Sequence, residues 1–459
     1  MADLTSAAPG AEPSLDSLAT SGRKVSKASL IDTALAMKDV ILPTLAKGPL
    51  IRRRGMVTMA ERQGMDDKAI RRMQTLRRKY GSGPLVLGIP FRPQALLLSR
   101  HDVHMVLAYS PAPFTAATRE KQAALGHFEP GNVLASRGID RGRRRQLNEE
   151  TLETGCQRHS MGPHFATSVA EEMELVCEEA LSKGRLDWDT FFVGWMRMVR
   201  RIVLGTAARD DSTLTDLLEG LRYRGNLAFL RPKARHRRRK LLDQLKRYVG
   251  DAAPESLAGK MAQHCQDPNQ LPHHQLPQYL FAFDPGAMAS FRTLALLSVH
   301  PAVRQRVAAE LAQTTSEGVP QLPLLRAAYL EALRLWPTTP AILRETLEPV
   351  DWSDSRLDRG THLIVFTPFF HRDDETLANA HTFDPDRWVD KVVRAEEGLV
   401  PFSYGPVQCP AAQFVPMVAS LAMRHLLTRL TLELTEPGRL DPTRLPATLD
   451  NFTLSFSAR

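Results

Sequence analysis

The sequence predicts a mainly α-helical protein with a minor β region. Most of the chain after Arg143 has the pattern of successive helices, whereas strand character is confined to short apolar runs between turn residues. The 459 residues contain no repeat and no Pro-, Gly- or Ser-rich linker that would divide the chain. We therefore expect a single domain over residues 29–459, preceded by a disordered segment at 1–28 that is rich in Ala, Ser and Pro.

The predicted elements follow one another along the chain. Two short strands at 84–90 and 95–99 precede a helix at 101–107, and 110–140 is a long irregular segment rich in Pro and Gly. Further helices are predicted at about 145–182, 188–206, 211–230, 233–250, 254–265, 275–300, 301–313, 322–336 and 414–430. Short strands are predicted within 341–370 and 431–457.

The cysteines and the N-terminus indicate in which cellular compartment the protein is expected. The four cysteines are widely scattered, and none belongs to a CxxC motif or a Cys/His cluster, which favours a reducing environment without disulfides. The first 20 residues lack the apolar core of a signal peptide, so we expect a cytoplasmic location. The segment Leu30–Ile51 carries too many charges for a transmembrane helix; packing on the body is favoured over peripheral membrane contact.

The net charge of +9 comes largely from basic clusters such as Arg141–Arg145 and Arg231–Lys240. Nucleic-acid binding is one interpretation of such clusters. However, the aromatic residues, 7% of the chain, do not alternate with the clusters as a base-stacking platform requires. We therefore interpret the clusters as solvated helix faces and predict no nucleic-acid partner.

Cys409 is the most informative residue. It ends the turn-rich stretch Pro401–Gln408, and the apolar helix that follows is expected to favour thiolate over thiol at its N-terminus. A single thiolate without a neighbouring metal-ligand partner suits an axial ligand of haem iron. A buried structural cysteine is the alternative.

Two further motifs lie upstream of Cys409. Glu331 and Arg334 are three residues apart on a predicted helix, so their side chains share a face and can form an ion pair. The segment 381–388 then offers Arg387 to the same carboxylate. Alone, a Glu-x-x-Arg pair is weak evidence, because chance produces it often.

Together the motifs resemble the cytochrome P450 family of haem-thiolate enzymes. They end in Phe402-x-x-Gly405-x-x-x-Cys409, and the resemblance extends from about Leu30 to Phe456. It implies the cytochrome P450 fold, with haem b between a long distal helix and the helix after the cysteine loop. Cys409 is then the axial ligand of the haem iron, and Phe402 and Gly405 belong to the cofactor-binding loop.

Four arginines have structural or propionate-binding counterparts in the family. The resemblance implies that Arg334 and Arg387 lock the core beneath the haem together with Glu331. Arg145 matches a propionate-binding arginine, with Arg141 at the position that is normally aromatic. Arg344 matches a second propionate-binding arginine. A solvated basic residue is the alternative for each propionate assignment.

The cysteine loop departs from the family pattern at two positions. Val407 stands where a His or Arg normally donates to a propionate, so Arg145 and Arg344 are expected to carry more of that role. Ala411 replaces a customary Gly and could tighten contact with the ring.

A third departure lies on the distal helix. Asp284 keeps the acid of the family's proton relay and is our candidate catalytic residue, but Pro285 replaces the usual Thr. A proline removes a backbone N–H and kinks a helix interior, and Gly286 loosens the same turn. We expect a kinked, open groove that lacks the hydroxyl donor.

The resemblance implies an oxidoreductase, in particular a monooxygenase that acts on an apolar small molecule. Without the hydroxyl, protons could come from Asp284, from water or from the substrate. Peroxide as oxidant, an atypical reaction such as coupling or rearrangement, and a non-catalytic thiolate-haem sensor are the alternatives. With O2 as oxidant, a separate ferredoxin or flavoprotein must supply electrons. Its predicted docking cations are Arg143, Arg144, Arg304 and Arg306.

The substrate pocket is predicted from the same resemblance. Its expected lining is the 110–135 loop, the 221–240 helix pair, Phe281, Ala282, the segment 339–343 and the turn near Phe452. Phe281, Phe283, Ile342 and Phe452 suggest an apolar substrate. Generic core packing is the alternative for each of these residues.

Overall fold

Helices dominate the computed structural model, which describes residues 22–90, 92–314, 318–389 and 397–459. The α-helices are α1 (Leu30–Ala36), α2 (Leu42–Ala46), α3 (Arg54–Arg62), α4 (Met65–Tyr80), α5 (Arg100–Ala108), α6 (Arg119–Leu125), α7 (Gly138–Leu152), α8 (Gly162–Lys183), α9 (Trp188–Leu204), α10 (Ser212–Gly225), α11 (Arg235–Asp251), α12 (Leu257–His264), α13 (Pro272–Val299), α14 (Pro301–Gln313), α15 (Pro323–Leu335), α16 (Thr367–Arg372), α17 (Asp386–Val389) and α18 (Phe414–Arg429). A π-helical turn, Met37–Ile41, joins α1 to α2.

The strands form three small sheets. They are β1 (Ser26–Lys27), β2 (Leu85–Leu87), β3 (Gln94–Leu96), β4 (Phe114–Thr115), β5 (Arg185–Asp187), β6 (Ala341–Thr346), β7 (Val350–Trp352), β8 (Ser355–Leu357), β9 (His362–Phe366), β10 (Leu432–Leu434) and β11 (Ser455–Ala458). The largest sheet has the order β1-β2-β3-β9-β6-β4, a second has the order β10-β11-β5, and β7 pairs with β8. The prediction of a mainly helical protein with a minor β region is confirmed.

Helix α13 forms the centre of the larger hydrophobic core. Most of its 28 residues are buried, and it continues through both Pro277 and Pro285. Gly286 allows close approach, because a Cβ atom there would lie 3.1 Å from Val415 Cγ1 on α18 and 3.2 Å from Trp195 Cζ2 on α9. Pro285 therefore does not end the helix. Gly286, which we expected to loosen this turn, is instead a tight packing position.

Three sequence predictions need correction. Residues 1–21 lie outside the described part of the chain, but Ser26–Lys27, inside the segment predicted to be disordered, pairs with Leu85–Val86 as a parallel strand. The segment 110–140 is not wholly irregular, since it contains β4, α6 and the start of α7. The helix predicted at 145–182 is two helices, because Glu153 adopts a left-handed conformation and α8 begins afresh at Gly162.

The N-terminal helical segment packs on the body as expected. Ala36 and Val40 are buried, and the Asp32 carboxylate accepts hydrogen bonds from Lys79 and Tyr80 of α4. Leu30 and Ile31 remain exposed. Among the described residues, no helix has the length and apolar character needed to cross a membrane.

A fully buried ion pair ties α15 to the chain that leads into the cysteine loop. The Arg334 guanidinium donates to both Glu331 carboxylate oxygens, at 2.7 and 2.9 Å, and neither side chain is exposed. Arg334 also donates to the carbonyls of His371, Ala380 and Thr382. One guanidinium therefore gathers three separate points of the 371–382 segment onto α15.

The Glu331 carboxylate completes this frame through a residue that sequence reasoning missed. Trp388 donates its indole N–H to Glu331 Oε2 at 2.7 Å, and the Asp384 backbone N–H donates to Oε1 at 3.1 Å. Arg387, the predicted partner, has its Nε 4.0 Å from Oε2, beyond hydrogen-bond distance. The indole therefore makes the hydrogen bond, and Arg387 forms a longer ion pair with the same carboxylate oxygen.

We predict that Arg334→Ala lowers the free energy of unfolding by about 3–5 kcal/mol, since it leaves the Glu331 charge buried without its cation. Chemical denaturation of the purified protein measures this value. The matched control is Arg356→Ala, because Arg356 pairs with Asp351 at the surface, where each side chain is 61% exposed. Its expected cost is within about 1 kcal/mol. Equal costs for the two variants would contradict the role of the buried pair.

Candidate active site

The cysteine loop is fixed by backbone contacts. The Cys409 N–H donates to the Phe402 carbonyl at 2.9 Å, which closes the loop between them. Gly405 adopts φ +70°, and a Cβ atom there would collide with the Leu107 carbonyl of α5. The predicted loop residues Phe402 and Gly405 therefore shape the turn that presents Cys409.

His371 joins the start of this loop to the buried frame. Its Nε2 accepts a hydrogen bond from the Val400 N–H at 3.0 Å, and its carbonyl accepts one from Arg334. Burial, then the nearby Arg334 charge, lowers the pKa of His371 to about 3, so the imidazole is neutral. No sequence motif pointed to this residue.

The Cys409 thiol is held among protein groups that do not by themselves favour a thiolate. Burial raises the pKa of Cys409, while the Ala411 N–H and then the Arg145 charge act in the opposite direction. Helix α18 begins only at Phe414, so the expected effect of a helix N-terminus at the sulfur is wrong. The side chain is still partly exposed. A thiolate here needs a further cation, which a bound metal ion supplies.

Buried cations gather beside this loop. Arg344 donates to the hydroxyls of Ser110 and Ser403 at 2.7 and 3.2 Å, and Arg141 donates to the Pro406 carbonyl at 3.3 Å. In the part of the chain that the structure describes, no carboxylate lies within ion-pair distance of either guanidinium. Burial, then Arg141, lowers the pKa of Arg344 to about 10, which shows that the two cations repel each other.

Two more cations complete the cluster. Arg145 donates to the Gln408 carbonyl at 2.7 Å, next to Cys409, and pairs with Glu149 at 2.6 Å. Lys121 was missed by sequence reasoning; burial, then Arg344, lowers its pKa to about 7. An excess of buried positive charge next to a metal-ligating sulfur suits an anionic cofactor. The two carboxylates of haem b match it, so the residues present fit haem.

Asp284, the candidate catalytic acid, is also placed by an arginine that the sequence analysis did not identify. Arg222 on α10 donates to Asp284 Oδ2 at 2.6 Å and to the Leu50 carbonyl at 2.7 Å. Its guanidinium lies over the Phe281 ring, 4.5 Å from the centroid. Burial raises the pKa of Asp284, and Arg222 acts against that shift.

Asp284 opens onto a surface cleft between α9, α10 and α13. Arg222 and Glu219 line this cleft together with Leu280 and Phe281. Burial, then the Asp284 charge, raises the pKa of Glu219. The cleft therefore joins a buried carboxylate on the central helix to a second carboxyl group nearer to solvent.

The other predicted lining residues fall in different cavities. Phe281 lines the Asp284 cleft, whereas Phe452 and Pro340 line a different cavity, which Met288 and Arg292 of α13 also line. Arg119 and Arg231, from the predicted 110–135 and 221–240 segments, line a third, which is open to the surface. Phe283 packs in the core against Trp195 and Phe414. None of these three cavities is lined by all of the predicted pocket residues.

The predicted docking cations are partly engaged within the protein. Arg143 pairs with Asp267 at 3.1 Å, and Arg306 pairs with Asp386 at 2.6 Å. Arg144 donates to Ser136 and to the Asn269 carbonyl. Arg304 lies exposed on α14.

Comparison with known proteins agrees with this geometry. The family model described as "Cytochrome P450" matches residues 278–450, a span that contains Asp284, Glu331, Arg334 and Cys409. This match supports assignment of the chain to the cytochrome P450 family. This match also accounts for the cofactor, because the family and its fold bind haem b through a thiolate.

The relatives of this P450 include mammalian and bacterial proteins. It is 31% identical to mouse (Mus musculus) "Cytochrome P450 4A10" over 34% of the chain and 31% of that relative. It is 27% identical to "Pentalenene oxygenase" of Streptomyces avermitilis over 59% of each protein. It is 26% identical to "Cyclooctat-9-en-7-ol 5-monooxygenase" of Streptomyces melanosporofaciens over 65% of the chain and 62% of the relative.

The first relatives are matched over about a third of their own length. Among solved structures, "Retinoic acid bound cyanobacterial CYP120A1" superimposes with a TM-score of 0.65 at 18% identity. The match covers 84% of this chain and 93% of that one. It confirms the fold that the sequence motifs predicted.

We predict that His371 makes the stability of this P450 depend on pH. Its folded-state pKa of about 3 lies below the ordinary histidine pKa of 6.5, so the unfolded chain binds a proton first as pH falls. The contribution is complete above pH 6.5 and is lost towards pH 3, at up to about 1.4 kcal/mol per pH unit.

Denaturation curves of the wild type and His371→Phe between pH 7 and about 5 measure this contribution. The slope of unfolding free energy against pH should be shallower in the variant. Identical slopes would contradict a neutral, buried His371. The control is His164→Phe, because His164 lies on the exposed face of α8.

Proposed function

We propose that this P450 is a haem-thiolate monooxygenase that oxidises a small molecule with an apolar body. The observation that carries the proposal is that Cys409 lies beside cations that suit the two haem carboxylates. His371 ties the start of the Cys409 loop to the buried frame. Arg344 and Lys121 are cations there without a carboxylate partner among the described residues. Bound there, haem supplies the activation of O2 or peroxide that no side chain can supply. The chain's own residues bind and orient the substrate, exclude water and handle protons.

Asp284 is proposed as the proton-handling group. Its Oδ2 is held by Arg222, and its carboxyl group lines the cleft that reaches towards Glu219. A proton that enters the cleft can therefore reach the Asp284 carboxyl on the central helix. Pro285 provides no hydroxyl next to it, so the last transfer must use water or a hydroxyl of the substrate.

This arrangement favours reactions that need less proton delivery than ordinary hydroxylation. Peroxide already carries its protons, and coupling or rearrangement of the substrate does not require insertion of a hydroxyl group. Two relatives are named as an oxygenase and a monooxygenase, which supports oxygen insertion as the basic activity. We therefore propose monooxygenation with a weakened O2 relay, and peroxide-dependent oxidation as the second candidate on the basis of Pro285.

An electron donor is part of the proposal when O2 is the oxidant. A separate ferredoxin with its reductase, or a flavoprotein, would approach the face of Cys409. Arg304 is the best of the predicted docking cations, because Arg143, Arg144 and Arg306 already pair with carboxylates. Turnover with a ferredoxin system, compared with turnover with peroxide, tests the activity. A haem protein that turns over with neither would be a sensor or a binding protein.

We predict that Pro285→Thr increases the coupling of O2-driven oxidation, since the variant supplies both a hydroxyl and the missing helical N–H beside Asp284. Product formed per electron donor consumed should rise, and leaked peroxide should fall. The matched control is Pro277→Thr, which restores an N–H in the same helix about 12 Å away. Well-coupled hydroxylation that is equal in the wild type and in Pro285→Thr would contradict the proposed effect of Pro285.

A further inference from the structure

A second cavity lies farther along α13 than the Asp284 cleft, and Met288 and Arg292 of this helix line it. It encloses about 40 Å³, which is room for a small polar group but not for the body of a substrate. Its lining comes from the N-terminal region, α13, the segment after α15 and the C-terminal region. Its wall includes the side chains of Lys47, Arg52, Asp66, Met288, Arg292 and Asn451.

The charges in this cavity do not cancel. Lys47 and the Thr448 hydroxyl both donate to the Asp66 carboxylate, at 2.5 and 2.7 Å, so that carboxylate is fully engaged. Arg52 donates to the carbonyls of Gly48 and Thr338. It is therefore a buried cation whose hydrogen-bond partners are neutral.

Arg292 is a second such cation, placed in the middle of the central helix. It donates to the carbonyls of Trp336 and Leu449, and its Nε has no partner within the described part of the chain. Burial, then the Arg52 charge, lowers the pKa of Arg292 to about 10. The two guanidiniums thus repel each other inside the protein, at a cost that an anion would remove.

The nearest further carboxylates are already engaged. Glu61 accepts hydrogen bonds from Arg439 at 2.9 Å, and Asp450 accepts one from the Thr58 hydroxyl at 2.6 Å. They attract Arg292 but do not lie within ion-pair distance of it. Arg52 and Arg292 therefore have no ion-pair partner among the described residues, although Asp66 attracts both and Glu61 and Asp450 attract Arg292 from beyond ion-pair distance.

Asn451 adds an independent sign of a ligand. Its side chain is fully buried and lines the cavity, and neither its Oδ1 nor its Nδ2 has a hydrogen-bond partner in the described structure. Buried amides normally pair both groups. Together with Arg292 Nε, the cavity therefore presents two unpaired donors and one unpaired acceptor.

The cavity adjoins the proposed substrate region. Met288 follows Asp284 by one helical turn on α13, about 6 Å along the axis. Pro340 and Phe452, which the sequence predicts as pocket lining, are also part of its wall. A group bound to Arg292 would thus lie beside the distal helix, about two turns beyond the candidate proton donor.

We propose that this cavity binds the carboxylate of the substrate, with Arg52, Arg292 and Asn451 as its ligands. The inference rests on the proposed function and narrows its substrate class to amphipathic monocarboxylic acids. The acid end lies in the cavity, and the apolar body extends past Met288 and Phe452 towards the haem. Two guanidiniums and an amide donor bind a carboxylate with charge-assisted hydrogen bonds.

The test compares acids with their neutral esters. Calorimetric titration of the holoprotein uses dodecanoate and hexadecanoate, each beside its methyl ester, which has the same chain but no charge. We expect the better acid to bind about tenfold or more tightly than its ester. Equal affinities for acid and ester, or no binding of either acid, would overturn the proposal and leave ordered water as the occupant.

Variants of the cavity arginines test whether the preference for acids over esters arises in this cavity. Arg52→Gln and Arg292→Gln should each weaken acid binding about tenfold and change ester binding by less than about twofold. The matched control is Arg54→Gln, because Arg54 is two residues from Arg52 but pairs with Asp189 and lies over the Phe452 ring. If Arg292→Gln fails to fold, Arg52→Gln alone decides. Unchanged acid binding in Arg52→Gln, or an equal loss of acid and ester binding, would overturn the assignment.

The haem content of the same preparation separates this inference from the proposed function. Protein without haem would contradict the proposed function. The acid-to-ester ratio, measured by calorimetry in that protein, would still report on the cavity. Protein with haem and no preference for acids would contradict the cavity alone.

Discussion

The buried ion pair between Glu331 and Arg334 is the interaction on which the site depends. Two opposite charges without solvent access are favourable only when all their hydrogen-bonding groups find partners. Three carbonyls, a backbone N–H and the Trp388 indole supply those partners. The 371–388 chain must therefore fold onto α15, and His371 passes that position on to Val400, where the cysteine loop begins. The position of the Cys409 sulfur therefore depends on the Glu331–Arg334 ion pair, which is distant from it in the sequence.

The charged groups of the site form two sets, one around the cysteine loop and one on the central helix α13. Around the cysteine loop, Arg344 and Lys121 have no carboxylate within ion-pair distance among the described residues, which suits an anionic cofactor. On α13 itself, Asp284 is balanced by Arg222, while Arg292 two turns later has no carboxylate partner. One helix thus presents a compensated acid and an uncompensated cation. The first suits proton handling, and the second suits recognition of a charged substrate end.

The motif residues were predictable because their spacing is itself the constraint. Glu331 and Arg334 share a helix face at any site, and Phe402, Gly405 and Cys409 describe a single turn. Arg222, Lys121 and His371 were not predictable, since their importance arises only from contacts between elements distant in sequence. Arg387 is the opposite case. The motif predicted its contact with Glu331, but the closer contact in the structure is the hydrogen bond from Trp388, and Arg387 forms a longer ion pair.

The local backbone shows a similar division. Proline and glycine rules predicted a kink at 285–286; α13 continues through both residues, and α9 and α18 pack tightly against Gly286. The tight packing at Gly286 could not be read from its local preference. By contrast, the break at Glu153 was signalled by Gly155 and by Gly162-Pro163, which the helical pattern of 145–182 concealed. Local signals were reliable where no buried neighbour opposed them.

The central claim is that Cys409 is the thiolate ligand of a haem held by this frame. The most direct measurement is the absorption difference spectrum of the reduced holoprotein with carbon monoxide. The wild type should show the long-wavelength band typical of thiolate-ligated haem, and Cys409→Ser should lose it, whereas Cys156→Ser, at an exposed cysteine, should keep it. A wild-type spectrum without that band, or its survival in Cys409→Ser, would contradict the account.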